Sequence, residues 1–291
     1  MSQYAIHSTQ FHLTECPRDA MQGLHDFIPT PIKAAYINLL LKVGFDTIDF
    51  GSFVSAKAIP QLRDTAEVLA QLDLTATNTK LLAIVANLRG VEDAVKHKPI
   101  TYLGFPFSIS ETFQQRNTNS SITESLITVE EMLNSCDRHQ KTAVVYLSMG
   151  FGNPYGDEWN IEIVEKWAEE LINRGVKILS LADTTGVSTP EKITAILPFL
   201  IKKFNNTEIG IHLHSTPFTR IEKIEAAYKA GCTRFDSALK GYGGCPMAAD
   251  ELTGNMATEE LISFLQGKGE QLNLDLEKWQ AAMVYSTRIF G

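Results

Sequence analysis

A repeated alternation constrains this chain more than any other feature. Short apolar runs rich in β-formers (FDTIDF, KLLAIVA, ITYLGFPF, TAVVYLSM, VKILSLAD, EIGIHLH and TRFDSAL) are separated by longer amphipathic stretches. The runs read as strands because they are short and carry β-branched and aromatic residues. The stretches between them predict helices over Pro31–Val43, Ala56–Leu72, Ser121–Ser135, Ile161–Arg174, Pro190–Lys203 and Pro217–Ala230, several opened by Ser, Thr or Pro. A first strand within Tyr4–Thr14 brings the strand candidates to eight. Strand followed by helix, repeated this often, favours a parallel sheet, and the count fits an α/β fold of the (β/α)8 TIM-barrel kind. A doubly wound open sheet is the alternative, but no G-x-G-x-x-G follows the first strand. No Pro/Gly/Ser-rich linker divides the chain, so residues 1–291 are expected to form a single catalytic domain, with a C-terminal helical extension from about residue 256.

A chain of 291 residues with 44% hydrophobic and 21% charged content can bury one large core. Its net charge of −8, with no offsetting Lys/Arg run, argues against a nucleic-acid or anionic-membrane partner and favours a small soluble ligand. The N-terminal MSQYAIHSTQFHLTE lacks a basic start followed by an apolar stretch, so no secretory signal is expected. No window approaches the roughly 20 apolar residues of a membrane span. Cys16, Cys136, Cys232 and Cys245 are scattered without a C-x-x-C pair. That spacing fits reduced thiols in a cytoplasm rather than a disulfide framework or a zinc ribbon.

Four segments carry candidate chemistry. In EIGIHLH the period of two puts Ile209, Ile211 and Leu213 on one face and Gly210, His212 and His214 on the other. In a barrel the two imidazoles would point inward at the C-terminal rim, where active sites lie and where imidazole often binds metal. A pair of satisfied polar residues at a strand end is the plainer alternative. The octet from Cys16 to Gly23 follows the first strand and sets Arg18 beside Asp19. Its carboxylate suits a hard cation, and its guanidinium suits a developing oxyanion; alone, the octet reads equally as a surface turn with an ion pair. Asp183 closes the sixth strand, where a barrel would expose it to the pocket, although it could instead tie down the following turn. Gly241 to Met247 reads as a glycine-rich loop carrying Cys245, a candidate acid or base if its surroundings favour thiolate.

PRDAMQ, SFVS (Ser52 to Ser55), HLH, GGCP and TGNMATEEL stand in the order found in hydroxymethylglutaryl-CoA lyases, and the chain resembles that family over nearly its whole length. The resemblance implies a divalent cation, Mg²⁺ or Mn²⁺, with Asp19, His212, His214 and Asn255 as its ligands. It implies Arg18 and Cys245 as the catalytic pair, Asp183 and Asp49 as further carboxylates of the site, and substrate contacts from Gln22 and Ser52. It further implies an acyl-CoA substrate, cleaved by a retro-Claisen reaction to acetyl-CoA and acetoacetate, and a homodimer. Two nitrogens, one carboxylate and one amide oxygen would leave open positions in an octahedron, which suits either ion.

Some positions depart from the family pattern. Ala20-Met21 replaces the usual Gly-Leu or Gly-Val; Asp49 stands where the lyases usually carry Glu; Ser215 stands where Asp usually follows the second histidine. The Cys245–Asn255 loop is one residue longer than usual. These changes bear on substrate and rate more than on the cation, and they leave open a related lyase or condensing synthase acting on another hydroxyacyl-CoA or oxo acid. A barrel that binds metal or CoA without catalysis is the reading from outside the enzymes, and retention of the candidate site residues argues against it.

Overall fold

The computed structural model describes residues 10–244 and 253–291. Its strands are β1 (His12–Glu15), β2 (Thr47–Ser52), β3 (Lys80–Ile84), β4 (Ile100–Ser108), β5 (Thr142–Ser148), β6 (Ile178–Asp183), β7 (Glu208–Leu213) and β8 (Arg234–Ser237). Each pairs in parallel with its sequence neighbour, and β8 pairs with β1, so the sheet closes into a barrel. That closure makes the fold a (β/α)8 TIM barrel and excludes the open doubly wound sheet.

The helices begin with α1 (Pro17–Gln22), α2 (Thr30–Leu40), α3 (Thr65–Leu69), α4 (Leu88–Ala94), α5 (Glu111–Thr118) and α6 (Ile122–Arg138). They continue with α7 (Ile161–Asn173), α8 (Pro190–Lys203), α9 (Arg220–Lys229), α10 (Thr258–Gly267), α11 (Leu276–Tyr285) and α12 (Thr287–Phe290). The last three supply the C-terminal helices expected after Asn255. Local chemistry sets the starts of the long ones. Ser121 and Glu124 form a reciprocal capping box at α6, Asn160 accepts the Ile163 N–H at α7, and Thr189 accepts the Lys192 N–H with Pro190 at the first position of α8.

The helix expected over Ala56–Leu72 breaks into a 3-10 turn, Pro60–Leu62, and the short α3. Pro60 has no N–H to donate and pushes the residue before it out of the helical region; Ile59 sits at φ −131°, ψ 81°. Helix α9 starts at Arg220 rather than Pro217. The first strand begins at His12, and the part of its expected range before residue 10 lies outside the described residues. Helices α1, α4 and α5 were not anticipated, being short and weakly periodic. Among the described residues no helix is long and apolar enough to cross a membrane.

The barrel interior is two-sided. Strand alternation sends Ile209, Ile211 and Leu213 outward into the core shared with the helices. The inward side chains of β3 to β6 (Leu82, Ile84, Tyr102, Val144, Tyr146, Ile178 and Ala182) form an apolar cluster of their own. The same alternation gives β1, β2, β7 and β8 inward-facing Thr14, Asp49, His212 and Asp236. The inward carboxylates and imidazole thereby gather on one half of the barrel, around the β1–β8 seam.

Candidate active site

The site is built on the C-terminal ends of β1 and β7. Strand β1 stops at Glu15 and α1 starts at Pro17, so Arg18 and Asp19 lie on the first turn of a helix that rises directly from the strand end. Arg18 is buried, and its guanidinium is held in a fork. Its Nε and Nη2 donate to Asp49 Oδ2 at 2.9 and 2.5 Å, and its Nη1 donates to Asp19 Oδ1 and Gln22 Oε1, both at 3.0 Å. Gln22, one turn along α1, also donates to Asp19 Oδ1 at 2.5 Å. The shorter Asp49 side chain therefore still reaches Arg18.

His212 is on β7, and His214 follows the strand end, where it forms an isolated antiparallel bridge with Asn255. That bridge carries Asn255 from a distant part of the chain into the site. Its side-chain amide donates to Asp19 Oδ2 and, at 2.9 Å, to the Tyr242 carbonyl. Gly243, at φ +101°, lies so close that a Cβ there would meet both the Asn255 amide nitrogen and the Asp19 carbonyl at 2.7 Å, so only glycine fits. Ser215 donates its hydroxyl to the Asn255 carbonyl at 3.3 Å, which gives this departure from the family pattern a role in holding the bridge.

Asp19, His212 and His214 each offer a ligand atom, and these atoms all lie within 4.8 Å of one another. Burial alone would raise the Asp19 pKa, but Arg18, the two histidines and the Asn255 bond outweigh it and hold the carboxyl below its usual range. Burial together with neighbouring His212 lowers His214 to about 4, leaving a neutral imidazole with a lone pair to give. Its Nδ1 is buried and has no partner among the described residues. His212 Nδ1 lies 3.3 Å from Asp236 Oδ2, the arrangement by which a carboxylate fixes the tautomer and orientation of a ligating histidine. Burial lowers the His212 pKa, but the Asp236 contact and the charges of Asp19 and Asp236 turn the net shift upward. The donor set is one of hard oxygen and imidazole, with a buried unsatisfied nitrogen, and it fits a divalent cation.

Arg18, Asp19, Gln22, His212 and His214 border one cavity, whose lining also includes the apolar Val54, Ile84, Phe113 and the ring of Tyr146. Tyr146 packs edge-on against His212, with ring centroids 5.6 Å apart. Asp49 is not part of this lining. Burial raises its pKa to about 6 although Arg18 opposes the shift, and the carboxylate stands behind the arginine as its support. Ser52 is likewise off the lining, with its hydroxyl donating to the Ile84 carbonyl at 3.3 Å and accepting from the Val54 N–H. Cys245 lies outside the described residues.

Asp183 does not face the cavity as its position at a strand end suggested. It accepts from the N–H groups of Val187 and Ser188 at 2.8 and 3.0 Å, from the Ser188 hydroxyl at 2.5 Å, and from Lys223 Nζ at 3.0 Å. The same ammonium donates to the His214 carbonyl at 2.8 Å, so this ion pair braces the backbone of a candidate ligand. Lys223→Met leaves Asp183, whose side chain is 0% exposed, without its cation. The substitution is expected to lower the unfolding free energy by about 3–5 kcal/mol. Urea denaturation reads this, and a loss below about 1 kcal/mol, the range of an exposed pair, would contradict the bracing role.

Asp236, Lys223 and Tyr146 carry no local sequence signal that marks them as parts of this site. Asp236 stood in TRFDSAL as one residue of a strand, and only its register with His212 reveals what it does.

Active sites on barrels of this kind form at the C-terminal ends of the strands, and a buried guanidinium, carboxylate and imidazole pair bordering a half-apolar cavity at that rim make this protein a barrel enzyme. Comparison with known proteins narrows the class. The HMGL-like family model matches residues 12–284, and the chain belongs to that family. A hydroxymethylglutaryl-CoA lyase of Bacillus subtilis is 35% identical over 266 residues, covering 91% of this chain and 88% of the relative. The cytoplasmic 3-hydroxy-3-methylglutaryl-CoA lyase of Rattus norvegicus is 34% identical, over 90% of this chain and 76% of its own. Among solved structures, the Bacillus subtilis HMG-CoA lyase superposes with a TM-score of 0.90 at 33% identity, covering 97% of this chain and 94% of that one. An HMG-CoA lyase from Acenitobacter baumannii, in complex with coenzyme A and 3-methylmalate, superposes with a TM-score of 0.88 at 29% identity, covering 96% and 91%. The protein is an enzyme of the hydroxymethylglutaryl-CoA lyase type.

Proposed function

We propose that the protein cleaves hydroxymethylglutaryl-CoA to acetyl-CoA and acetoacetate with Mg²⁺ or Mn²⁺ held by Asp19, His212, His214 and Asn255. The observation that carries this reading is the convergence of the Asp19, His212 and His214 ligand atoms beside Arg18 on a cavity with an apolar side. A bound cation would supply Lewis acidity toward the substrate's tertiary hydroxyl and a neighbouring carboxyl oxygen.

The protein's own residues divide the rest of the work. A base at the site takes the hydroxyl proton, and the carbinol carbon becomes the ketone of acetoacetate as its bond to the thioester methylene breaks. The electron pair of that bond passes to the thioester, forming the enolate of acetyl-CoA. Arg18, kept protonated by Asp49 and Asp19 against the cost of burial, is placed to stabilise the enolate oxygen. Cys245 then returns a proton to the enolate carbon. Gln22, on the cavity lining, holds substrate and fixes the Asp19 oxygen. Ser52, Asp49 and Asp183 act at one remove, through Ile84, Arg18 and the Lys223 brace. Catalysis in the cytoplasm, by a homodimer in which each chain is one catalytic domain, belongs to the same reading; the cytoplasmic rat relative supports the location.

Purified protein freed of metal and then given Mg²⁺, Mn²⁺ or no ion should release acetoacetate from the thioester only with an ion present. Absence of acetoacetate under every ion, with turnover of a different acyl-CoA, would replace the substrate while leaving the lyase class intact.

A further inference from the structure

A second donor set shares His212, and its other two members lie off the cavity lining. One ligand atom each of Cys16, His212 and Asp236 lies within 4.8 Å of the others. Cys16 and Asp236 are 0% and 2% exposed, and neither lines the cavity. Three neighbouring strands fix their closeness. On β8, Asp236 is the register partner of Thr14 on β1 and of His212 on β7, and Cys16 stands at the junction of β1 and α1, where its backbone N–H bonds the Ser237 carbonyl next to Asp236.

The set is also short of partners. Asp236 Oδ1 and Thr14 Oγ1 are buried and have none among the described residues. Among the described residues the Cys16 thiol makes only a 3.8 Å contact with the Thr14 carbonyl. A buried carboxylate oxygen is costly unless it is bonded or faces a cation; Arg234, two residues earlier on β8, acts on Asp236 through its charge but bonds Glu208, so Oδ1 keeps a lone pair to give beside the thiol and the imidazole.

We propose that Cys16, His212 and Asp236 form a second cation site, selective for a thiophilic ion of the Zn²⁺ class. Sulfur, imidazole nitrogen and carboxylate oxygen are the three donor types that zinc accepts, and three protein ligands leave a fourth position for water. Mg²⁺ and Mn²⁺ favour oxygen donors and are not drawn to the thiol. A neutral imidazole has a single lone pair, so His212 serves one ion at a time. Zinc on Cys16 and Asp236 therefore withdraws His212 from Asp19 and His214 and inhibits the enzyme. The inhibition rests on the reading of Asp19, His212 and His214 given above, whereas the site itself does not.

Cobalt(II) stands in for zinc and absorbs in the near ultraviolet when a thiolate binds it. Metal-free wild-type protein titrated with Co²⁺ should develop this absorption to one equivalent. Cys245→Ser should keep it, while Cys16→Ser and, as a less polar second variant for a buried position, Cys16→Ala should lose it. Both Cys16 variants should still bind Mn²⁺, read by electron paramagnetic resonance, which shows that they are folded. Zn²⁺ should displace Mn²⁺ from the wild type, and the Cys16 variants should need at least about tenfold more, since even partners outside the ligand shell are worth ten- to a hundredfold in metal affinity. No thiolate absorption in the wild type, or absorption that survives both Cys16 variants, overturns the site. Cys16-dependent absorption without displacement of Mn²⁺ overturns the inhibition. A wild type that binds no Mn²⁺ counts against the Asp19, His212 and His214 reading instead, and the cobalt spectra then decide the Cys16 site alone.

Discussion

Arg18→Met is expected to lower kcat by about 10²–10³-fold, the loss found when a donor to a developing oxyanion is removed. KM should move much less, because the enolate charge that Arg18 meets exists only after the carbon–carbon bond begins to break. Methionine roughly keeps the length of the side chain while removing the charge and the fork. The rest of the effect falls on Asp49 and Asp19. Asp49 has a side chain only 1% exposed, and it already sits at about 6 with Arg18 bonded to it through two nitrogens. Without the guanidinium, burial pushes that carboxyl higher still, and it takes up a proton near neutrality. Arg18→Lys is the informative companion. An ammonium keeps the charge but cannot span Asp49, Asp19 and Gln22 from one planar group, so it should recover part of the rate and little of the geometry. Steady-state kinetics on both variants, with Mn²⁺ binding measured alongside, separates loss of the oxyanion partner from loss of the ion. A kcat for Arg18→Met within tenfold of wild type would remove Arg18 from the chemistry.

The barrel was legible because its strands are short apolar runs set between periodic helices, and that pattern is local. Ring closure is not local; it depends on β8 pairing with β1 across more than two hundred residues, and the sequence supported it only through the count of repeats. The Ala56–Leu72 segment misled because its periodicity is helical while Pro60 interrupts the backbone bonding. At the site, the shared face of His212 and His214 followed from strand alternation alone. Asn255 did not, and it came from family resemblance; the bridge to His214 is the physical reason it belongs there. Asp183, at a strand end, had two readings, pocket or tie to the following turn; its bonds to Val187 and Ser188 make it the tie, and Lys223, forty residues later on α9, holds the carboxylate in the wall. Asp236 went unnoticed for the same reason. A buried acid is explained by its partner, and the partner lies on another strand.

His212→Ala should abolish Mn²⁺ binding and take acetoacetate release below detection. The argument begins with geometry. His212 is the member common to both buried donor groups, so its loss leaves Asp19 and His214 as the nearest ligands of the proposed ion and leaves Asp236 facing an apolar methyl. Two protein ligands and an amide oxygen are a weak site for a cation that dehydrates reluctantly. Asp236→Asn is the graded test. It keeps the imidazole but weakens the carboxylate contact that orients it, so Mn²⁺ affinity should fall ten- to a hundredfold rather than vanish, and activity should return at raised Mn²⁺. Calorimetric titration with Mn²⁺ and circular dichroism on the same samples distinguish an empty site from an unfolded barrel. If folded His212→Ala bound one equivalent of Mn²⁺ with wild-type affinity, the ion would have to sit elsewhere, and the role given to β7 would fall with it. If Asp236→Asn were as inert as His212→Ala at every Mn²⁺ concentration, Asp236 would be doing more than holding the ring, either as a base toward the substrate or as a ligand in its own right.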